Sequence, residues 1–434
     1  MNESIASGFK ASLMDQAEYL DRMISNQQIQ CVLHLDGRID ELRLARAVRL
    51  TMDAEPVLGC RFVERFGRPR WQRRGDLDRV SACRVEECVA AGELEGRMEE
   101  FLTATGDPGS DPLVRVVVLR AGQDTLCLKI DHVASDTGGA RDYIYLLCET
   151  YRRLVEDPGY APVPNAGGRR GLGQVLERFS LRERVRALKS GMPPPVAWGF
   201  PWRGTSHEDS RFEVRRIPPS RFQALKEYGR GRGATVNDLV LTACYRAMME
   251  LVGAGPGAPY CIMVPIDLRR YMPGERAGAV CNLSGQLYPS LEALPGEEFA
   301  GTVSRVREEM SDLKAGTPGI GPAMVVAAFT SLGLCVTRAV YSRMVAGEIR
   351  SGKCNPYLSN LGVLEPGRLE LAGVAVADAY LVSPLMYAPG FLIGVSTFND
   401  TMTVTVGYSD ARSNAPAVER FLDLLMGEIA VATG

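Results

Sequence analysis

The chemistry most readily argued from this chain centres on His132 and Asp136. Both lie in the stretch Lys129-Ile130-Asp131-His132-Val133-Ala134-Ser135-Asp136-Thr137-Gly138-Gly139, between a strongly apolar run and a helical one. His132 is one of three histidines in 434 residues. An imidazole with a carboxylate four residues on, at a strand-to-helix junction, has the make-up of a general-base site. The same spacing also describes a histidine buried in a core loop, and the stretch by itself leaves both readings open. His34, inside a strand, and His207, past a Pro-rich break, read as ordinary strand and surface residues.

Other chemistries find less support. Eleven cysteines are scattered singly with no C-x-x-C. They read as reduced, mostly buried thiols of a cytoplasmic protein. With three separated histidines, no zinc spacing is present and no metal is expected. No G-x-S-x-G elbow is present to raise a serine nucleophile. Gly253-Ala254-Gly255-Pro256-Gly257 follows a helix and is a turn, not a dinucleotide fingerprint. A formal net charge of −2 gives no footprint for nucleic acid. Residues 1–9 lack a basic-then-apolar signal pattern. The apolar stretch from Gly319 to Val340 is interrupted by Pro322 and reads as a buried helical segment, with an interfacial role as the alternative.

The elements that must hold His132 are legible from periodicity. Residues 12–24 carry Leu13, Ala17, Leu20 and Ile24 at helical spacing with acids between them. Ile29 to Leu35 alternates like a strand, Asp40 caps a helix through Thr51, and Cys60 to Phe66 resumes as a strand. Pro112–Leu119 and Thr125–Ile130 form a hairpin of interior strands that feeds directly into Asp131-His132. A helix marked by Tyr143, Leu146, Leu147, Thr150 and Leu154 follows and closes at Pro158. Pro- and Gly-rich punctuation from Asp157 to Gly173 and at Gly191–Pro195 marks an inter-lobe connection. The arginines between (Arg178, Arg182, Arg184, Arg186) read as a solvated face or as a landing site for a phosphorylated or acidic partner. The second half begins with a strand at Phe212–Ile217. Thr235 then caps a helix, Cys261–Val264 leads into Pro265-Ile266-Asp267-Leu268-Arg269, and a hairpin turns at Asn399-Asp400. Ala417–Val431 closes the chain as an amphipathic helix.

Taken in order, these pieces resemble the superfamily of CoA-dependent acyltransferases that includes chloramphenicol acetyltransferase and the condensation domains of nonribosomal peptide synthetases. The family signature is His-His-x-x-x-Asp-Gly. Here His132 and Asp136 match its second His and its Asp, while Asp131 stands for the first His and Thr137 for the Gly, with Gly138 one step late. Glu55-Pro56-Val57-Leu58, Thr235-Val236-Asn237-Asp238, Val264–Arg269, Asn282-Leu283-Ser284-Gly285 and Ser359-Asn360-Leu361-Gly362 fit further family segments.

The resemblance implies an α/β fold with mixed sheets. Its two chloramphenicol-acetyltransferase-like lobes would form a V-shaped pseudo-dimer around a central tunnel. The expected division is an N-terminal lobe at 1–190, a linker at 191–210 and a C-terminal lobe at 211–434. It implies a stand-alone acyltransferase of natural-product type, with His132 as general base and no covalent acyl-enzyme. The donor would be acyl-CoA or an acyl group on a carrier protein's phosphopantetheine arm, and the acceptor an alcohol or amine. No tightly bound cofactor is expected, and membrane association is not the leading reading. Asp136 would turn from substrate to pair with Arg269. Asn282, Ser359 and Asn360 are candidate substrate-facing polar groups, and Gly138 and Gly139 permit a close turn. Asp131 either adds negative charge beside His132 or supports the loop by hydrogen bonding. Two alternatives follow from the departures: a catalytically inactive binding or scaffold protein of the same fold, and a membrane-surface lipid acyltransferase of the wax-ester type.

Overall fold

The computed structural model describes residues 6–65, 68–189 and 192–433. The expectations for the first five residues, for the end of the strand at Phe66 and for Gly191 in the linker fall outside these residues.

Two mixed sheets organise the chain. The first runs Val376–Val382, Gln28–Leu35, Asp124–Asp131, Val114–Arg120 and Cys83–Glu87. Its last pair is parallel and the others are antiparallel. The second runs Tyr357–Val363, Leu392–Phe398, Thr401–Tyr408 and Arg211–Ile217, and its first pair is parallel. Asn399 and Asp400 join the two central strands with φ of 46° and 58°. Both signs are positive, as a two-residue hairpin turn requires.

Asp124–Asp131, here called the motif strand, is central in its sheet and buried at every position. Its two faces have different tasks. Leu126, Leu128 and Ile130 join the core beneath the helices Glu41–Ala54 and Thr137–Glu156. Cys127 faces a smaller cluster on the other side, where Lys129 lies 4.8 Å from the Phe101 ring centroid and donates to the Ala104 carbonyl at 2.5 Å. A strand covered on both faces reads as a nearly continuous apolar run, which is why this one stands out in the sequence.

The division into 1–190, 191–210 and 211–434 needs two amendments. Val376–Val382, from the second half, is an edge strand of the first sheet, paired with Gln28–Leu35 from Val376↔Leu35 to Val382↔Gln30. The 191–210 stretch is also not a free linker. Trp198 and Phe200 are buried in the second core, and the Trp198 indole donates to the Cys261 carbonyl at 2.8 Å. A third cluster, with Met14, Leu172, Val175, Leu268, Leu283 and Ile320, fills the seam between the two halves.

Two helical expectations also change. The opening helix, Leu13–Asp21, buries Met14, Asp15, Gln16 and Leu20 rather than the Leu13, Ala17 and Ile24 side. It lies in the seam, where Trp71, Arg170 and Asn282 all offer hydrogen bonds to Asp15. The Gly319–Val340 stretch is not one buried segment but two helices, Ile320–Thr330 and Leu334–Ser351, bent by 117°. Gly333, with φ of 90°, sits at the break. Leu332, Val336 and Val340 are exposed. Among the described residues, no single helix is long and apolar enough to cross a membrane.

Candidate active site

The loop after the motif strand is fixed by backbone bonds on both sides. The Asp131 amide donates to the Leu113 carbonyl and the His132 amide to the Gln27 carbonyl, each at 2.8 Å. Within the loop, the Ala134 and Ser135 amides turn back onto the Asp131 and His132 carbonyls. Asp136 then caps the helix Thr137–Glu156, accepting from the Gly139 amide at 2.9 Å. A β-conformation residue with a short acceptor side chain suits that position.

The structure brings Asp136 and Arg269 together across the seam. Arg269 Nη1 lies 2.8 Å from Asp136 Oδ2, and both side chains keep only 3% exposure. Asp136 Oδ2 also accepts from the Leu283 amide at 2.6 Å. Arg269 donates further to the Cys281 carbonyl at 2.9 Å and to Asp267 at 3.1 Å. Burial opposes ionisation of Asp136. The Arg269 charge and the bonds from Arg269, Gly139 and Leu283 outweigh it and hold the carboxyl below its ordinary range. Gly138 is required for space: a Cβ there would meet Arg269 Nη1 at 2.7 Å and Asp267 Oδ2 at 2.8 Å. Thr137 has no positive φ, so its replacement of a glycine strains nothing.

Asp131 does not bear on the imidazole. Its oxygens accept from the Val133 amide and from Gln28 Nε2, each at 3.0 Å. Gln28 is held in turn by Arg115 at 3.0 Å. Burial pushes the Asp131 carboxyl up to about 6. These bonds tie Asp131 into the loop and the neighbouring strand.

His132 projects on a different side, toward the opening helix. Its Nδ1 lies 3.3 Å from Glu18 Oε2, and the two side chains keep 17% and 15% exposure. Burial lowers the imidazole pKa. Its own backbone carbonyl, the Asp136 charge and Asn282 oppose that shift. Burial, followed by repulsion from Asp21, Asp136, Asp15 and Asp131, holds the Glu18 carboxyl well above its usual range. Asn282 is buried and donates to the Val133 carbonyl at 3.0 Å and to Asp15 at 3.3 Å.

Ser359 and Asn360 stand elsewhere. They line a cavity of about 110 Å³ between the halves with Thr137, Gly138, Arg141 and Asp267, and neither His132 nor Glu18 lines it. Asn360 is exposed, and its side chain accepts from the Gly362 amide at 3.0 Å across a bulge in its own strand. An edge strand with a bulge leaves that amide without a ladder partner, and the nearby side chain takes it.

Three residues at this site were not singled out from sequence: Asp15, Glu18 and Arg170. Asp15 accepts from Trp71 Nε1 at 2.8 Å and Arg170 Nη2 at 3.1 Å. Arg170 also holds the Ala134 carbonyl at 3.0 Å and the Val280 carbonyl, tying the loop to both halves. A signal for the acids did exist. Asp15, Glu18 and Asp21 recur every third residue, which places three acids along one side of a helix.

No protein-family model matches the chain. Two solved structures match it end to end. The first condensation domain of the CDA synthetase superposes with a TM-score of 0.68 at 18% identity, over 99% of this chain and 98% of that one. The TRI3 trichothecene 15-O-acetyltransferase of Fusarium sporotrichioides gives 0.70 at 13% identity, over 98% and 96%. The chain shares the fold of these two structures. Among curated sequences, a Mycobacterium tuberculosis (strain ATCC 25618 / H37Rv) protein named "Putative diacyglycerol O-acyltransferase Rv0895" is 27% identical over 227 residues. That match spans 49% of this chain and 42% of the relative's length. Within this shared fold, the motif loop joins the motif strand to a helix whose first turn faces the second half.

Proposed function

We propose that the protein is an acyltransferase that moves an acyl group from a CoA or carrier-protein thioester to an alcohol or amine, with His132 as general base. The observation that carries this reading is the setting of His132. A partly accessible imidazole closes a fully buried strand, in a loop anchored by a dry Asp136–Arg269 pair. The imidazole takes the acceptor's proton as the acceptor oxygen or nitrogen attacks the thioester carbonyl. The C–S bond then breaks, and the imidazolium returns the proton to the departing thiolate. Burial keeps the ring neutral near neutral pH, as a base must be. The 27% identity to a protein named as a diacylglycerol O-acyltransferase supports ester formation.

The test is product analysis by mass spectrometry, with acetyl- to palmitoyl-CoA offered against a set of alcohols and amines. His132→Ala is expected to lower turnover by roughly 10²–10⁴-fold. If wild type and variant are equally inert across the panel while the protein still binds an acyl carrier protein, the fold serves binding or scaffolding and the base reading fails.

A second reading, an acceptor drawn from a lipid surface, is favoured by one observation. The bent helix pair exposes Leu332, Val336, Val340 and Met344 beside the exposed Arg343 and Arg350. It packs on the opening helix that carries Glu18, with the Tyr341 hydroxyl donating to Asp21. Flotation with anionic vesicles is expected to carry the protein upward, and Val336→Ser/Val340→Ser to reduce that. A protein that stays at the bottom with every vesicle contradicts this reading.

A further inference from the structure

Outside the Asp136–Arg269 lock, the motif loop makes one more close contact between ionisable groups. We propose that Glu18 is the positioning residue for His132: its carboxylate accepts a hydrogen bond from Nδ1–H, fixes the ring tautomer and leaves Nε2 bare toward the acceptor. This rests on the reading of His132 as general base.

The geometry points to it in three ways. Glu18 Oε2 lies 3.3 Å from Nδ1, and the two side chains share the same degree of exposure. His132 Nδ1 is buried without a hydrogen bond of good geometry, which leaves the Glu18 carboxylate as its ion-pair contact beside the ring's own backbone carbonyl. The nearby donors are engaged by other acids: Arg170 by Asp15, the Tyr341 hydroxyl by Asp21 and Arg338 by Glu64. Among the described residues no lysine or arginine forms an ion pair with Glu18.

The groups that face Glu18 are acids. Asp15 and Asp21 lie on its own helix, and Asp131 and Asp136 flank His132 on the motif loop. They oppose a bare charge on Glu18, and an imidazolium at Nδ1 relieves that opposition. The imidazolium formed when His132 accepts the substrate proton is therefore stabilised where it forms. A carboxylate within contact distance favours the charged ring, and removing it makes the ring a weaker base.

With only three histidines, the full-length protein labelled with ¹⁵N/¹³C-histidine reports each ring directly. His132 in wild type is expected to carry its proton on Nδ1. Glu18→Gln, which keeps the shape and loses the charge, is expected to lower the His132 titration midpoint by about one to three pH units, with His34 and His207 unmoved. Glu18→Asp should fall between. With the best thioester and acceptor from the panel, Glu18→Gln should cut kcat about tenfold or more, with KM within about twofold. Its acid limb should move to lower pH. An unchanged His132 midpoint and unchanged ring nitrogen shifts in Glu18→Gln overturn the proposal, whatever His132→Ala does. Full transfer by His132→Ala with the Glu18→Gln shift present removes the base reading and leaves the pairing standing. A folded spectrum, with three histidines in the Glu18 variants and two in His132→Ala, excludes simple unfolding.

Discussion

Asp136, at the end of the motif loop, and Glu18, facing that loop from the opening helix, are both carboxylates with opposite surroundings. Asp136 is dry, capped by two backbone amides and paired with a guanidinium that is itself satisfied by a carbonyl. Glu18 is partly open, faces four acids and meets only an imidazole. The first environment pulls a carboxyl pKa down and the second pushes it up. The loop thus holds an anchor that stays ionised at neutral pH and contributes one member of a pair whose charge can move. Chemistry needs the second, and accurate aim needs the first.

The most damaging way to break this contrast is Arg269→Ala. It strands a buried carboxylate, so a loss of roughly 3–5 kcal/mol in denaturant unfolding is expected. A variant with wild-type stability contradicts the anchor. His132→Ala should do the reverse: its loss in turnover comes with a stability change within about 1 kcal/mol, because a partly exposed ring leaves no large cavity. The smallest effect belongs to Asp131→Asn. It weakens the bond from Gln28 while relieving a buried charge, so stability at neutral pH should change by about 1 kcal/mol or less.

The sign of the pH response sharpens the comparison further. The native carboxyl of Asp131 titrates near 6, above the reference value of 3.8. The native state therefore holds that proton more tightly than the unfolded chain, and this group's contribution to stability falls as pH rises between the two values. Asp136 has the opposite sign: its stabilisation is present at neutral pH and is lost as pH falls through its depressed native value. In unfolding curves measured from pH 4 to 7, Asp131→Asn should remove a downward slope. A slope identical to wild type contradicts that assignment.

Much of this was legible in the chain. The motif strand and its hairpin stood out because burial on both faces gives an unbroken apolar run. His132 stood out because histidine is scarce here, and the Arg269 partner followed only from the family resemblance. Glu18 was hidden because acids between apolar helical positions read as a solvated face. Only the seam, with Trp71, Arg170 and Asn282 waiting, turns that face inward. The bulge that Asn360 bridges has no signature in the sequence, because a polar strand residue and a residue bridging its own bulge look alike there. The 319–340 stretch read as one helix because hydropathy does not register a bend at Gly333. Nor does periodicity reveal which sheet a strand will join, as Val376–Val382 shows.

That last strand has a consequence for how the protein is made. Until Val376–Val382 leaves the ribosome, one edge of Gln28–Leu35 has no partner. At a synthesis rate of about 5–20 residues per second, that edge stays open for roughly ten seconds or longer after the motif strand has emerged. An unpaired apolar edge is a template for other chains. Nascent copies are therefore most exposed to one another late in translation, and a chain truncated before residue 376 would keep that hazard permanently.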